Sequence, residues 1–194
     1  MRELVYYVAV SLDGYIAAPD HTFDAFPVAG DHIDMIVRDY TDTLPGVGLE
    51  ALGLTADNSR FDTVLMGRHT YTAGLSEGVN DPYPHLRQFV FTRSRATDAS
   101  TIPEHITLTD EDPLVVARRL KAETSGTGIW VCGGGQLAGT LLDEIDRLIL
   151  KVNPLVFGSG IPMFGARAYD ARRFTLIAST PYQSGVIVNE YVRA

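Results

Sequence analysis

The sequence predicts a three-layer α/β fold, a mixed and mostly parallel sheet with helices on both faces and an antiparallel hairpin at its C-terminal edge. Three observations carry this. Four short apolar runs, at 4–10, 63–66, 88–92 and 129–132, lack strict alternation, as strands covered on both faces do. Helical patterns lie between these runs. The last third then switches to alternation and to two β-rich runs around a polar turn.

In chain order, the run at 4–10 is the first strand. A helix is expected over 31–43, with Ile33, Ile36, Val37 and Tyr40 at helical spacing, and 43–58 reads as loop. Asp112-Pro113 opens a second helix with an N-cap and a proline at the first helical position, running to about Glu123. A third begins in the glycines at 133–135 and continues through Leu137, Leu141 and Leu142. Leu148, Leu150 and Val152 then alternate with Ile149, Lys151 and Asn153. Runs at 174–181 and 186–193 flank Tyr182-Gln183-Ser184-Gly185, a hairpin pattern. No stretch is long enough to divide the chain, so 1–194 reads as one domain.

Composition narrows the function classes. Hydrophobic residues make up 45% and charged residues 21%, which is ordinary globular usage. A net charge of −8 disfavours nucleic acid and anionic membrane as partners, because both would repel the mean field. No apolar run approaches bilayer length. The opening residues read as a strand rather than a signal peptide, so a cytoplasmic location is the expectation. One cysteine, Cys132, excludes an intramolecular disulfide and a multi-cysteine zinc site, and histidines 21, 32, 69, 85 and 105 show no ligand spacing. No metal is expected. Ser11, Ser159 and Ser184 lack the nucleophile-elbow pattern of hydrolases.

The chemistry concentrates after the strands. Ile129-Trp130-Val131-Cys132 runs straight into Gly133-Gly134-Gly135-Gln136-Leu137. Glycines let backbone approach a ligand, and a helix start offers unpaired N–H groups to an anion. The same glycines could equally serve a tight strand-to-helix turn. Val64-Leu65-Met66 meets Gly67-Arg68-His69-Thr70, where a guanidinium and a hydroxyl stand at a helix start. Phe91-Thr92-Arg93-Ser94-Arg95 alternates arginines with hydroxyls, suiting a phosphate monoester or a solvated basic loop. Ligands of parallel α/β sheets lie at the carboxyl ends of strands, so the three elements could line one extended polyanion. An adenine dinucleotide with an extra 2′-phosphate fits. Ser11-Leu12-Asp13-Gly14-Tyr15-Ile16 follows the first strand, with Asp13 either a turn former or a functional acid. The segment 153–164 is apolar and glycine-punctuated, readable as a substrate wall or a dimer contact.

Four motifs in order resemble one family: Ser11-Leu12-Asp13-Gly14, Leu65-Met66-Gly67-Arg68-His69-Thr70-Tyr71, Cys132-Gly133-Gly134-Gly135-Gln136-Leu137, and Pro154 through Gly158-Ser159-Gly160-Ile161-Pro162-Met163-Phe164. This is the dihydrofolate reductase-like superfamily, in the branch of the C-terminal reductase domain of riboflavin biosynthesis. The resemblance implies an eight-stranded mixed sheet that binds NADPH. Ala9 and Ile16 would flank the nicotinamide, and Gly67, Arg68 and Thr70 would hold the pyrophosphate and adenosine phosphates. Thr92, Arg93 and Ser94 would hold the 2′-phosphate. Gly133, Gly134, Gly135, Gln136 and Leu137 would take the pyrophosphate from the other side, with a cis Gly133-Gly134 peptide and a homodimeric assembly.

Departures from the family bear on substrate. The Trp in the first loop and the acid context of folate reductases are absent, and Tyr15 stands where riboflavin-pathway reductases carry a basic residue. The expected activity is reduction of a small pterin- or pyrimidine-like heterocycle or another conjugated compound by NADPH. Asp13 or Asp34 is the candidate proton donor, with Tyr15 and Ser159 as substrate contacts. The alternative is a nucleotide-binding module without turnover.

Overall fold

The computed structural model describes residues 1–75, 78–93 and 102–194. Its centre is an eight-stranded sheet in the order β5-β4-β3-β6-β1-β7-β10-β9. The strands are β1 (Leu4–Val10), β3 (Phe61–Gly67), β4 (Arg87–Phe91), β5 (Thr107–Thr109), β6 (Gly128–Gly133), β7 (Arg147–Val152), β9 (Phe174–Pro181) and β10 (Ile187–Arg193). Pairing is parallel from β5 through β7 and antiparallel from β7 to β10 and β9. A separate ribbon pairs β2 (Tyr15–Ala17) with β8 (Ile161–Pro162). The helices are α1 (Asp31–Asp39), α2 (Gly46–Leu52), α3 (Arg68–Thr72), α4 (Pro113–Lys121) and α5 (Gly135–Leu141), with a 3₁₀ turn at Thr41–Thr43.

Period-two alternation in β1 divides the interior into two cores. Leu4, Tyr6 and Val8 pack with Val116, Ala117 and Leu120 of α4 and with Leu137, Ala138 and Leu141 of α5. Val5 and Tyr7 face the opposite way, against Met35 of α1, Tyr40, Tyr71 of α3 and Trp130. Burial on both sides explains why the central strands read as apolar runs. The Asp112 carboxylate accepts the Leu114 N–H at 2.9 Å, capping α4 as its sequence predicts. The expected hairpin is closed by the Tyr182 N–H donating to the Val186 carbonyl, with Gly185 at φ 83°.

The structure corrects three sequence expectations. The first helix ends at Asp39, and its inward face is His32 and Met35 with Ile36 packed beside them. The hairpin turn sets that face. Asp31 accepts N–H groups from Gln183 and Ser184, and His32 Nδ1 lies 2.9 Å from Ser184 Oγ. Residues 43–58, read as loop, contain α2, which anchors through buried Leu49 and stops at Gly53 in the left-handed region. Short β2, β5 and β8 carried no run long enough to see. No helix among the described residues is long and apolar enough to cross a membrane.

Candidate active site

The strand order sets the site. The carboxyl ends of β4, β3, β6 and β1 stand side by side, so the segments leaving them form one continuous rim. Adjacent strands lie about 4.8 Å apart, which spreads the four segments across roughly 14 Å.

At the middle of the rim, Gly67 ends β3 and Gly133-Gly134 ends β6, with Met66 in register with Gly133. The Gly133-Gly134 peptide is cis and Gly133 has φ 135°. A Cβ built on Gly67 would lie 3.5 Å from the Gly134 nitrogen, and one on Gly134 would lie 3.6 Å from Thr70 Oγ1. The two glycine segments and the Thr70 hydroxyl therefore enclose a shallow cradle that any side chain would fill. Gly135 has a different reason to be glycine. Its Cβ would stand 2.0 Å from the Pro162 carbonyl oxygen, and that of Gly139, one turn on, 2.2 Å from the Phe164 oxygen. The triplet divides by residue: Gly133 and Gly134 leave open space, and Gly135 lets α5 lie against 162–165.

Arg68, half-buried at the start of α3, makes no hydrogen bond or ion pair among the described residues. Buried Thr92 donates its N–H to the Thr109 carbonyl, and exposed Arg93 follows it at the far end of the rim. Ser94 lies outside the described residues. Gln136 is exposed, whereas the Leu137 side chain is part of the core beneath α5, so Leu137 can offer a ligand only its N–H. Ala9 and Ile16 are both half-buried near the end of β1, Ile16 resting on the first core.

The expected acids do not act as expected. Asp13 accepts hydrogen bonds from Ser11 Oγ (2.6 Å) and from the N–H groups of Phe157 (3.1 Å) and Gly158 (2.7 Å). The Ser11 hydroxyl above all, and the two N–H groups with it, hold its carboxyl below the usual range. A carboxylate engaged as acceptor on both oxygens has no proton to give near neutral pH. Asp13 is a brace between the loops after β1 and β7. Asp34 is exposed on α1, away from the face formed by His32, Met35 and Ile36. Tyr15 is half-buried in the β2 ribbon and its N–H donates to Ser11 Oγ, while Ser159 is exposed in the braced loop.

A polar group that sequence reasoning passed over lies on the inner face of β7. Lys151 pairs in register with Ala9, and its Nζ sits 4.1 Å above the Tyr7 ring centroid. Its half-buried side chain is crowded enough that desolvation lowers its pKa to about 8. On β6, burial pushes the Cys132 thiol up to about 11, with the Tyr83 hydroxyl 3.9 Å away. One signal was available. The chain has two lysines, and one stands between the apolar run Leu148-Ile149-Leu150 and Val152.

At the opposite, amino-terminal ends of the strands lies a concavity of about 420 Å³ lined by Arg2, Arg60, Arg147 and Glu190. Its arginines are already engaged. Arg2 pairs with Asp62 and Glu123, Arg147 with Glu3 and Glu190, and Arg60 lies over the Tyr40 ring.

The strand order, the two glycine segments at the strand ends and the antiparallel C-terminal pair define a dihydrofolate reductase-like fold. The chain belongs to the RibD C-terminal domain family, whose model matches residues 2–188. It is 35% identical over 165 residues to the uncharacterized protein YwjB of Bacillus subtilis (strain 168), covering 84% of this chain and 83% of that one. A putative riboflavin biosynthesis protein from Shewanella sp. PV-4 superposes with a TM-score of 0.74 at 20% identity over 99% of both chains. The Thermotoga maritima diaminohydroxyphosphoribosylaminopyrimidine deaminase/5-amino-6-(5-phosphoribosylamino)uracil reductase superposes with a TM-score of 0.66 at 17% identity. This chain covers 57% of that protein.

Proposed function

We propose that the protein is an NADPH-dependent reductase of a small, conjugated heterocyclic compound. One observation carries the reading. Arg93, Arg68 with Gly67, Gly133-Gly134 and Ala9 succeed one another along the rim, the sequence in which a 2′-phosphate, a pyrophosphate and a nicotinamide would need them. The donor set suits the cofactor, with guanidinium groups unpaired among the described residues, a glycine cradle for phosphate, and half-buried Ala9 and Ile16 for the apolar ring. When bound, NADPH would supply a hydride to the substrate carbon. The protein's own part is to fix the phosphates, keep the ring end dry and hold the substrate. Calorimetric titration with NADPH and NADH tests this. Tight NADPH binding with weaker NADH supports it, and no binding of either overturns it.

The engagement of the Asp13 carboxylate by three donors and the exposure of Asp34 on α1 favour a second reading, a non-catalytic NADP(H)-binding module. Saturable NADPH binding without oxidation across pterins, pyrimidines and quinones would select it.

Dihydrofolate is expected to be a poor substrate. A pterin edge presents an amino group and a ring N–H, and a site without a buried acceptor leaves both unpaired, a loss of several kcal/mol. Asp34, on the outer face of α1, cannot supply that acceptor. Turnover of dihydrofolate at ordinary enzymic efficiency, lost in Asp34→Asn, would refute this.

We further propose a homodimer formed through the C-terminal edge. In β9 every residue after Phe174 is exposed, and Leu176 and Ile177 are 51% and 50% accessible. An apolar edge strand of eight residues is an open template for pairing. Light scattering at micromolar concentration should give twice the chain mass, and Leu176→Lys with Ile177→Lys should give one.

A further inference from the structure

We infer that Lys151 is the residue that meets the substrate, its Nζ binding a carbonyl oxygen or imine nitrogen of an acceptor-rich ring and giving that atom a proton as the adjoining carbon is reduced. The inference rests on the reductase reading and goes beyond it by naming the substrate's chemistry.

Place is the first argument. Lys151 lies across from Ala9 on the same side of the sheet as Tyr7, which puts an ammonium beside the strand end where the nicotinamide is proposed. The second argument is its lack of a partner. Nζ makes no hydrogen bond or ion pair among the described residues and lies over the Tyr7 ring face. The only other lysine, Lys121, donates to the Glu144 carbonyl at 2.7 Å and to Asp146 Oδ1 at 2.9 Å. A crowded ammonium without an acceptor is a costly arrangement, kept where a ligand completes it.

The surroundings agree. The titratable groups packed around it are the Cys132 thiol on β6, the Tyr83 hydroxyl beside that thiol and the Tyr7 hydroxyl on β1, all pushed upward by burial and neutral at pH 7. The nearest acid on β10, Glu190, is engaged by the Tyr40 hydroxyl and Arg147. Nothing nearby quenches the charge. A midpoint near 8 leaves Lys151 mostly protonated at pH 7 and ready to release that proton. As the carbon is reduced, the π pair of the C=O or C=N bond settles on the heteroatom and takes the proton from Nζ. The neutral amine regains a proton from water. A cation with N–H donors selects acceptor edges and rejects donor edges, the reverse of a folate site.

With two lysines, the ¹³Cε resonances of labelled protein give a direct test. The Lys151 signal, assigned by its loss in Lys151→Met, should titrate near pH 8. Orotate, a pyrimidine dione carboxylate, should shift that signal saturably and raise its midpoint, whereas 2,4-diaminopyrimidine should not. Lys151→Met should lose orotate at least tenfold while binding NADPH within about threefold of wild type. Its folded-state pKa lies below the unfolded value, so removing the charge should raise the melting temperature at pH 7, with the gain shrinking as pH rises toward 10.5. An unmoved signal with orotate, equal orotate binding by the variant, or a melting temperature lowered by several degrees overturns the inference. Failure of wild type to bind NADPH would instead remove the reductase reading.

Discussion

Gly135→Ala is expected to destabilise the fold by about 3 kcal/mol, and Gly134→Ala, one residue away, by less than about 1 kcal/mol. The added Cβ at 135 meets the Pro162 carbonyl oxygen at 2.0 Å and the Gly165 nitrogen at 3.0 Å, both main-chain atoms that cannot swing aside. Relief requires α5 to lift from 162–165, loosening Met163 and Phe164 from the first core. For a domain of this length the shift in melting temperature should be on the order of 6–12 °C. At 134 the nearest atom is Thr70 Oγ1 at 3.6 Å and φ is −83°, ordinary for an L residue. That variant should fold, yet its methyl group occupies the cradle, and NADPH affinity should fall tenfold or more. Thermal unfolding and calorimetry on both variants check the pair. Unchanged NADPH binding by folded Gly134→Ala would show that the triplet serves packing alone.

Arg93→Ala is expected to weaken NADPH by about 1–3 kcal/mol, or roughly 5- to 150-fold, and to leave NADH within experimental scatter. The asymmetry follows from position. Arg93 stands at the β4 end of the rim, the last stop in the proposed cofactor path, where only a 2′-phosphate would reach it. The guanidinium is exposed and carries no ion pair among the described residues, so its removal should leave stability nearly unchanged. Arg68→Ala, at the β3 end, should weaken both cofactors alike. Equal losses for NADPH and NADH in Arg93→Ala would remove the 2′-phosphate assignment.

Legibility from sequence followed the distance between interacting residues. The central strands were readable because burial on both faces writes itself locally as an apolar run, and the α4 cap because Asp112 and its N–H partner are two residues apart. The inner face of α1 was not, because it is chosen by a turn about 150 residues away through Asp31 and His32. The same holds for the site. Glycine cradles announce themselves in consecutive residues. Asp13 could not be told from a catalytic acid, since its donors at Phe157 and Gly158 come from the other end of the chain. Lys151 was read only as one of the residues alternating with Leu148, Leu150 and Val152, and only the sheet order shows that its side of the strand is covered.

The Asp13 brace has a consequence for how such a protein diversifies. Its donors at 157 and 158 are main-chain N–H groups, so the tie asks nothing of the Phe157 side chain. Among 156–159, Gly158, at φ 73°, is the position whose identity the backbone restricts. Val156, Phe157 and Ser159 can therefore be exchanged while the two loops stay fastened. One anchored carboxylate thus holds the path of the loop while leaving the side chains it presents free to vary.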